Sequence, residues 1–224
     1  MESGEAHFKM TKAVIFDLDG TLLNTLEDLA DSCNKTLMQF GFEERSLEQV
    51  RLYVGNGIGK LMENALPSRA TKEELEAAIK QMKFNYSLNW QNKTKPYDGI
   101  ENLLKELSER KIKTAVVSNK PDPQVKELCN LYFSDYMTEE TAVGEKEGIK
   151  RKPAPDSLFE VMRILEVSKE EVIYVGDSDV DIMTAKNAEV KCVSCSWGFR
   201  SENFLKENGA SVIIKKPEEL LQLL

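Results

Sequence analysis

Apolar residues in this chain follow two rhythms. Short runs at 12–16, 113–118, 172–175, 190–194 and 211–214 are rich in β-branched residues and bounded by polar or turn residues, the pattern of buried strands. Between the later runs, segments 99–110, 122–132, 156–166 and 179–187 carry apolar residues at helical spacing. Strands that alternate with helices in this way predict an α/β fold: a Rossmann-like, doubly wound parallel sheet covered by helices through right-handed crossovers. Ligands of such sheets bind beyond the carboxyl ends of the strands.

One stretch breaks the alternation. From about residue 24 to residue 93 no strand pattern appears. Segments 27–40 and 72–90 instead read as amphipathic helices, with shorter helical pieces between them. Roughly 70 helical residues directly after the first strand are too many for a crossover loop. The expected organisation is therefore an α/β core made of residues 1–23 and 95–224, with an inserted α-helical cap at 24–94. Its hinges are expected near 22–25 and 94–97.

Chemistry concentrates where the first strand ends. Ala13-Val14-Ile15-Phe16-Asp17-Leu18-Asp19-Gly20-Thr21 closes an apolar run with two carboxylates one residue apart and a glycine turn. As the last residue of the strand, Asp17 would stand at the sheet edge where ligands bind. The offsets of the acidic residues and the glycine do not suit a calcium loop. A cation bound there would hold Asp17 ionised.

An apolar strand followed by D-x-D-x-T resembles the first signature of the haloacid dehalogenase superfamily. Three further signatures of that superfamily follow in order: a strand ending in Ser118-Asn119-Lys120-Pro121, Lys152 ahead of a helix in Arg151-Lys152-Pro153, and a strand followed by Gly176-Asp177-Ser178-Asp179-Val180-Asp181. The resemblance implies hydrolysis in two displacements, with Asp17 as nucleophile and Asp19 as acid and then base. It implies Mg2+ held by Asp17, Asp177 and the main-chain carbonyl of Asp19. Asp181, with Thr21 and Ser178, would orient those ligands. The Ser118 hydroxyl and the main-chain N–H groups of Leu18 and Asn119 would hold phosphate oxygens, and Lys152 would balance their charge. Dehalogenases of the superfamily lack the second aspartate, so Asp19 points to phosphoryl transfer.

In the cap, Val54-Gly55-Asn56-Gly57-Ile58-Gly59-Lys60 fails the spacing of both the P-loop and the dinucleotide motif. Together with Asn24–Leu29 and Lys95–Ile100 it looks like the phosphoglycolate phosphatase branch. That implies a loop, Gly55, Asn56 and Gly57, facing a small phosphorylated metabolite. Trp197-Gly198-Phe199-Arg200 fits the same branch, with loop packing as its plainer reading. The alternatives are a phosphoglucomutase-like isomerase, an inorganic pyrophosphatase or nucleotidase of the same superfamily, and a non-catalytic binding protein. The last would have lost a motif, and none is missing.

Composition narrows the partners. A formal net charge of −8 disfavours nucleic acid and anionic membranes, and no apolar run is long enough to span a bilayer. The polar opening, residues 1–9, lacks the apolar segment of a secretory signal and reads as an extension, so the expected compartment is the cytoplasm. Monomer and weak homodimer both remain open. The pair Cys192 and Cys195 would lie on a strand with sulfurs on opposite faces, and the single histidine, His7, is in the tail, so a thiolate metal site is not expected.

Overall fold

A computed structural model describes residues 10–224; the tail at 1–9, with His7, lies outside the described residues. In chain order the elements are β1 (Ala13–Phe16), β2 (Leu23–Asn24), α1 (Leu26–Gln39), α2 (Leu47–Tyr53), α3 (Gly57–Ala65), α4 (Lys72–Ser87), β3 (Lys95–Pro96) and α5 (Ile100–Glu109). They continue with β4 (Lys113–Pro121), α6 (Asp122–Phe133), β5 (Ala142–Glu145), α7 (Asp156–Leu165), β6 (Val172–Gly176), α8 (Asp179–Ala188), β7 (Lys191–Cys195), α9 (Glu202–Glu207) and β8 (Ile213–Ile214).

Six strands form one parallel sheet in the order β5-β4-β1-β6-β7-β8. Alternate side chains of β1 feed two cores. Val14 and Phe16 pack with α5 and α6 residues such as Leu103 and Leu128, whereas Ala13 and Ile15 pack with Leu158 and Val161 of α7 and Ala185 of α8. Strand β1 lies between β4 and β6, so the chain leaves it toward opposite sides of the sheet. Such a reversal point opens a crevice beyond the strand ends. The register fixes what lines it: Phe16 is level with Val116 and Val175, so Asp17, Ser118 and Asp177 emerge together at one rim.

Cys195 belongs to the first core and Cys192 packs against the second, so the two sulfurs point to opposite faces of β7 and both thiols are free. Strand β5 was not evident in the apolar pattern. It is short, and Gly144 within it is required because a Cβ there would run into the backbone of Lys120 and Asp122. Helix α9 is likewise too short, at six residues, to show a helical period.

Helices α1–α4 surround a third hydrophobic cluster, built around Leu37, Leu61, Met62, Met82 and Tyr86 and joined by Phe199 from the loop after β7. Their ends are joined to the sheet through an antiparallel β2–β3 pair, Leu23 opposite Pro96 and Asn24 opposite Lys95. A buried carboxylate clasps this neck. Asp28, 0 % exposed, accepts hydrogen bonds from the N–H groups of Lys93 (3.0 Å) and Thr94 (2.9 Å) and from the Thr94 hydroxyl (2.8 Å). Tyr132 of α6 donates to the Thr94 carbonyl at 2.7 Å, tying the same strand to the sheet side. Among the described residues no helix is long and apolar enough to cross a membrane.

Removing the Asp28 carboxylate would strand those three donors in a buried neck. Asp28→Ala is expected to lower the unfolding free energy by about 2–4 kcal/mol, with the isosteric Asp28→Asn losing less. Urea unfolding followed by circular dichroism measures it, and a loss below about 1 kcal/mol would show the clasp to be dispensable.

Candidate active site

The rim beyond β1, β4 and β6 gathers the chemically active side chains. Asp17 leaves the end of β1, Ser118 lies in the last part of β4, Asp177 follows β6, and Lys152 precedes α7. All four are buried. Lys152 Nζ donates to Asp17 Oδ1 at 2.9 Å and to Asp181 Oδ1 at 2.8 Å, and it also meets the Tyr174 hydroxyl at 3.0 Å. The Leu18 N–H donates to Asp17 Oδ1 at 2.7 Å. One oxygen of Asp17 is thereby fixed by an ammonium and a backbone donor.

Asp181 is saturated. Besides Lys152, its oxygens accept from the Tyr174 hydroxyl (2.9 Å), the Ser178 hydroxyl (2.6 Å) and the Ser178 N–H (3.1 Å). Ser178 caps the N-terminus of α8, and Asp181 is the partner of that capping box. Burial pushes the Asp181 carboxyl up, but Lys152, Ser178 and Tyr174 together hold it below the usual carboxylate range. An aspartate so fully used positions Lys152 and has little left to give a ligand.

Asp177 is the reverse case. It sits in a slot between Gly20 and Gly198, where a Cβ on either glycine would collide with its carboxylate. Gly20 also has φ +89°, a conformation that favours glycine. The carboxylate accepts the Phe199 N–H at 2.6 Å, and no ion pair to it is found among the described residues. Burial, then the nearby Asp181 and Asp17, push its carboxyl well above the ordinary value. Asp17 is also pushed up, to about 7, chiefly by burial and with Lys152 opposing.

These observations test whether the residues fit a cation. Oxygens of Asp17, Asp177 and Asp181 lie within 4.8 Å of one another, three carboxylates facing the single ammonium of Lys152. The surplus negative charge and the all-oxygen donor set fit a hard divalent cation held by Asp17 and Asp177.

A second lysine completes the rim. Lys120, 5 % exposed, donates to both oxygens of Asp19 (2.9 and 3.2 Å) and to the Tyr86 hydroxyl of α4 (2.7 Å). Burial works against its charge, yet Asp19 and Tyr86 keep it above the ordinary lysine range. Nothing in the sequence patterns assigned Lys120 a role. The signal was its place in Ser118-Asn119-Lys120-Pro121, at the carboxyl end of a strand that runs three residues further than its apolar run.

A small cavity of about 40 Å3 opens over Asp17, Asp19, Ser118, Asn119, Lys120 and Lys152. Its far wall comes from the helical cluster: Leu29, Val54, Gly55, Gly57, Ile58, Leu61 and Tyr86. The loop after α2 is pinned from the sheet side. Asn119 Nδ2 bridges the carbonyls of Gly55 (3.3 Å) and Lys152 (3.1 Å), and Arg200 donates to the carbonyls of Arg51 (2.8 Å), Leu52 (3.3 Å) and Val54 (2.7 Å). Asn56 departs from its expected place with Gly55 and Gly57: it lines a separate depression with Arg200 and Phe204, because it is the residue that turns the chain into α3. Thr21 is fully buried with its hydroxyl beside the Cys195 sulfur, and its carbonyl accepts from Trp197 Nε1 at 3.0 Å, so it braces the loop behind Asp177. Arg200 acts on the wall of the cavity and is not among the residues that line it.

The profile of the haloacid dehalogenase-like hydrolase family matches residues 14–195. A phosphoglycolate phosphatase of Aquifex aeolicus is 32 % identical over 214 residues, 95 % of this chain and 96 % of that protein. Phosphoglycolate phosphatase 1 of Pseudomonas aeruginosa is 29 % identical over 99 % of this chain and 83 % of its own length. Among solved structures, a Lactobacillus delbrueckii subsp. bulgaricus protein provisionally named phosphoglycolate phosphatase superposes with a TM-score of 0.90 at 34 % identity, covering 96 % of this chain and 98 % of that one.

Carboxylates must be ionised to hold a cation, so binding should tighten as pH rises through the raised range of Asp17. A divalent cation added to chelator-treated protein is expected to raise the thermal midpoint, more at pH 8 than at pH 5.5. Asp177→Asn should remove most of that rise. Differential scanning calorimetry reads both effects, and an equal rise in the variant would exclude Asp177 as a ligand.

Proposed function

The chain belongs to the haloacid dehalogenase-like hydrolase family, and from that premise we propose that it is a Mg2+-dependent phosphatase acting on a small phosphorylated metabolite of the phosphoglycolate type. The observation that carries this reading is the meeting of Asp17, Asp19, Ser118 and Lys152, from distant parts of the chain, around one cavity. In this reading residues 24–94 are a cap that closes on a core of residues 1–23 and 95–224, turning about β2 and β3.

Asp17 attacks phosphorus through the oxygen opposite the one that Lys152 and Leu18 hold. The bond from phosphorus to the substrate oxygen breaks as the Asp17–phosphorus bond forms, and Asp19 gives its proton to the departing oxygen. A water molecule then attacks the aspartyl-phosphate, Asp19 takes its proton, and inorganic phosphate and free Asp17 result. Ser118, with the N–H groups of Leu18 and Asn119, receives the phosphoryl oxygens. Lys152 offsets their charge beside Asp17. Bound Mg2+, held by Asp17, Asp177 and the Asp19 carbonyl, would supply charge neutralisation and in-line orientation. The cap wall of Leu29, Val54, Ile58 and Leu61 keeps bulk water from the reacting atoms.

Asp17→Asn should cut turnover of phosphoglycolate at least about 1,000-fold with the circular dichroism spectrum unchanged. Chelation should abolish turnover, and Mg2+ should restore it. Release of inorganic phosphate is the measurement. Wild-type rates in the Asn variant, or an isomerised product with little phosphate released, would overturn the reading.

A further inference from the structure

Lys152 is occupied by Asp17, Asp181 and Tyr174, so it answers to the nucleophile's side of the cavity. Lys120 is the other cation among the residues lining that cavity, and it stands on the side of Asp19. Whatever is attached to the oxygen that Asp19 serves must therefore come past Lys120. The remaining surface there is apolar, Leu29, Val54, Ile58 and Leu61, apart from the Tyr86 hydroxyl. That hydroxyl accepts from Lys120 at 2.7 Å, and its own hydrogen remains to be donated. The Lys120 ammonium also lies 4.6 Å from the Tyr86 ring centre, so α4 holds it from above as Asp19 holds it from below. An ammonium and a phenol set side by side in an apolar pocket form a receptor for a small anion.

We propose that Lys120, steered by Tyr86, is a specificity residue that binds a carboxylate carried by the leaving group, one or two carbons from the scissile oxygen. The inference deepens the phosphatase reading above and rests on it. An anionic leaving group entering a pocket without Lys120 would find no cation on that side of the cavity to receive it. With Lys120 present, the substrate carboxylate takes a share of an ammonium that now serves Asp19 and Tyr86 alone. Neutral leaving groups of the same size gain nothing from the exchange, and bulky ones meet the apolar wall.

The test compares kcat/KM for 2-phosphoglycolate with that for ethyl phosphate, which has a methyl group where the first has a carboxylate. Pyrophosphate serves as a third substrate. Each is measured with wild type, Lys120→Met and Tyr86→Phe. Both esters need the same acid, so any effect of Lys120 on Asp19 divides out of their ratio. Wild type is expected to favour phosphoglycolate by about 100-fold, the range of a charged hydrogen bond, and Lys120→Met should bring the ratio within about 5-fold of unity. Tyr86→Phe should lower it by about 5- to 10-fold, which keeps the inference testable should the methionine variant fail to fold. An equal loss on both esters, with the ratio unchanged in the variants, would assign Lys120 to Asp19 alone and overturn the proposal. Pyrophosphate cleaved faster than phosphoglycolate would overturn the carboxylate assignment and put a phosphate in this pocket. No phosphate released from any of the three by wild type would bring down the phosphatase reading as well.

Discussion

The structure turns on buried carboxylates that must be kept charged at the end of a parallel sheet. Asp17, Asp177 and Asp181 converge because β1 lies between β4 and β6, and the fold that brings them together also takes them out of water. Desolvation alone would neutralise them. Lys152 is the internal answer, buried at 3 % exposure between Asp17 and Asp181. It is sufficient for Asp181, which has four donors, and insufficient for Asp17 and Asp177, whose carboxyls stay raised. The imbalance is local: it leaves Asp17 and Asp177 short of positive charge, a shortfall that a bound cation would make good.

The same constraint explains the glycines behind the site. A carboxylate can be packed into the loop region only if the backbone comes close to it, and Gly20 and Gly198 allow that approach on either side of Asp177. Asp177 in turn accepts the Phe199 N–H, which fixes the loop that carries Arg200. The position of the charged group and the course of the loop are therefore one feature: a Cβ at Gly20 would strike the carboxylate, and one at Gly198 would strike both the Gly20 carbonyl and the Asp177 side chain.

Much of this was legible in the sequence because strand-end chemistry is local. Asp17, Ser118 and Asp177 each lie at the end of an apolar run, so a parallel sheet brings them to one rim whatever the details of packing, and Lys152 was legible from its place ahead of a helix. The helical character of the insertion between β2 and β3 was equally plain from its period. What escaped the sequence was set by contacts between distant segments. Lys120 looked like any lysine beside a proline; its meaning comes from Tyr86, 34 residues earlier, reaching down from α4. Asp28 looked like an ordinary acidic residue in a first helical turn, and only the return of the chain at Thr94 makes it a buried clasp. Arg200 had no partner in sequence because its partners are main-chain carbonyls, which any residues could supply.

Those long-range contacts have a common geometry. Arg200 donates to three carbonyls at the C-terminal end of α2, where a cation is favoured, and Asn119 holds the Gly55 carbonyl of the following loop. Lys120 reaches Tyr86 on α4. The helical layer is thus gripped from the sheet side at these points and by Arg151, which donates to the Asn56 carbonyl at 3.4 Å, whereas the neck at β2 and β3 is held separately by Asp28. Each grip is a polar bond, and Phe199 adds an apolar contact by packing into the helical cluster from the sheet side. The helical layer therefore has two kinds of attachment, side-chain bonds at the rim and the buried clasp at the neck. Tyr86 belongs to the helical layer and Lys120 to the sheet, so the surroundings of Asp19 are built by both at once.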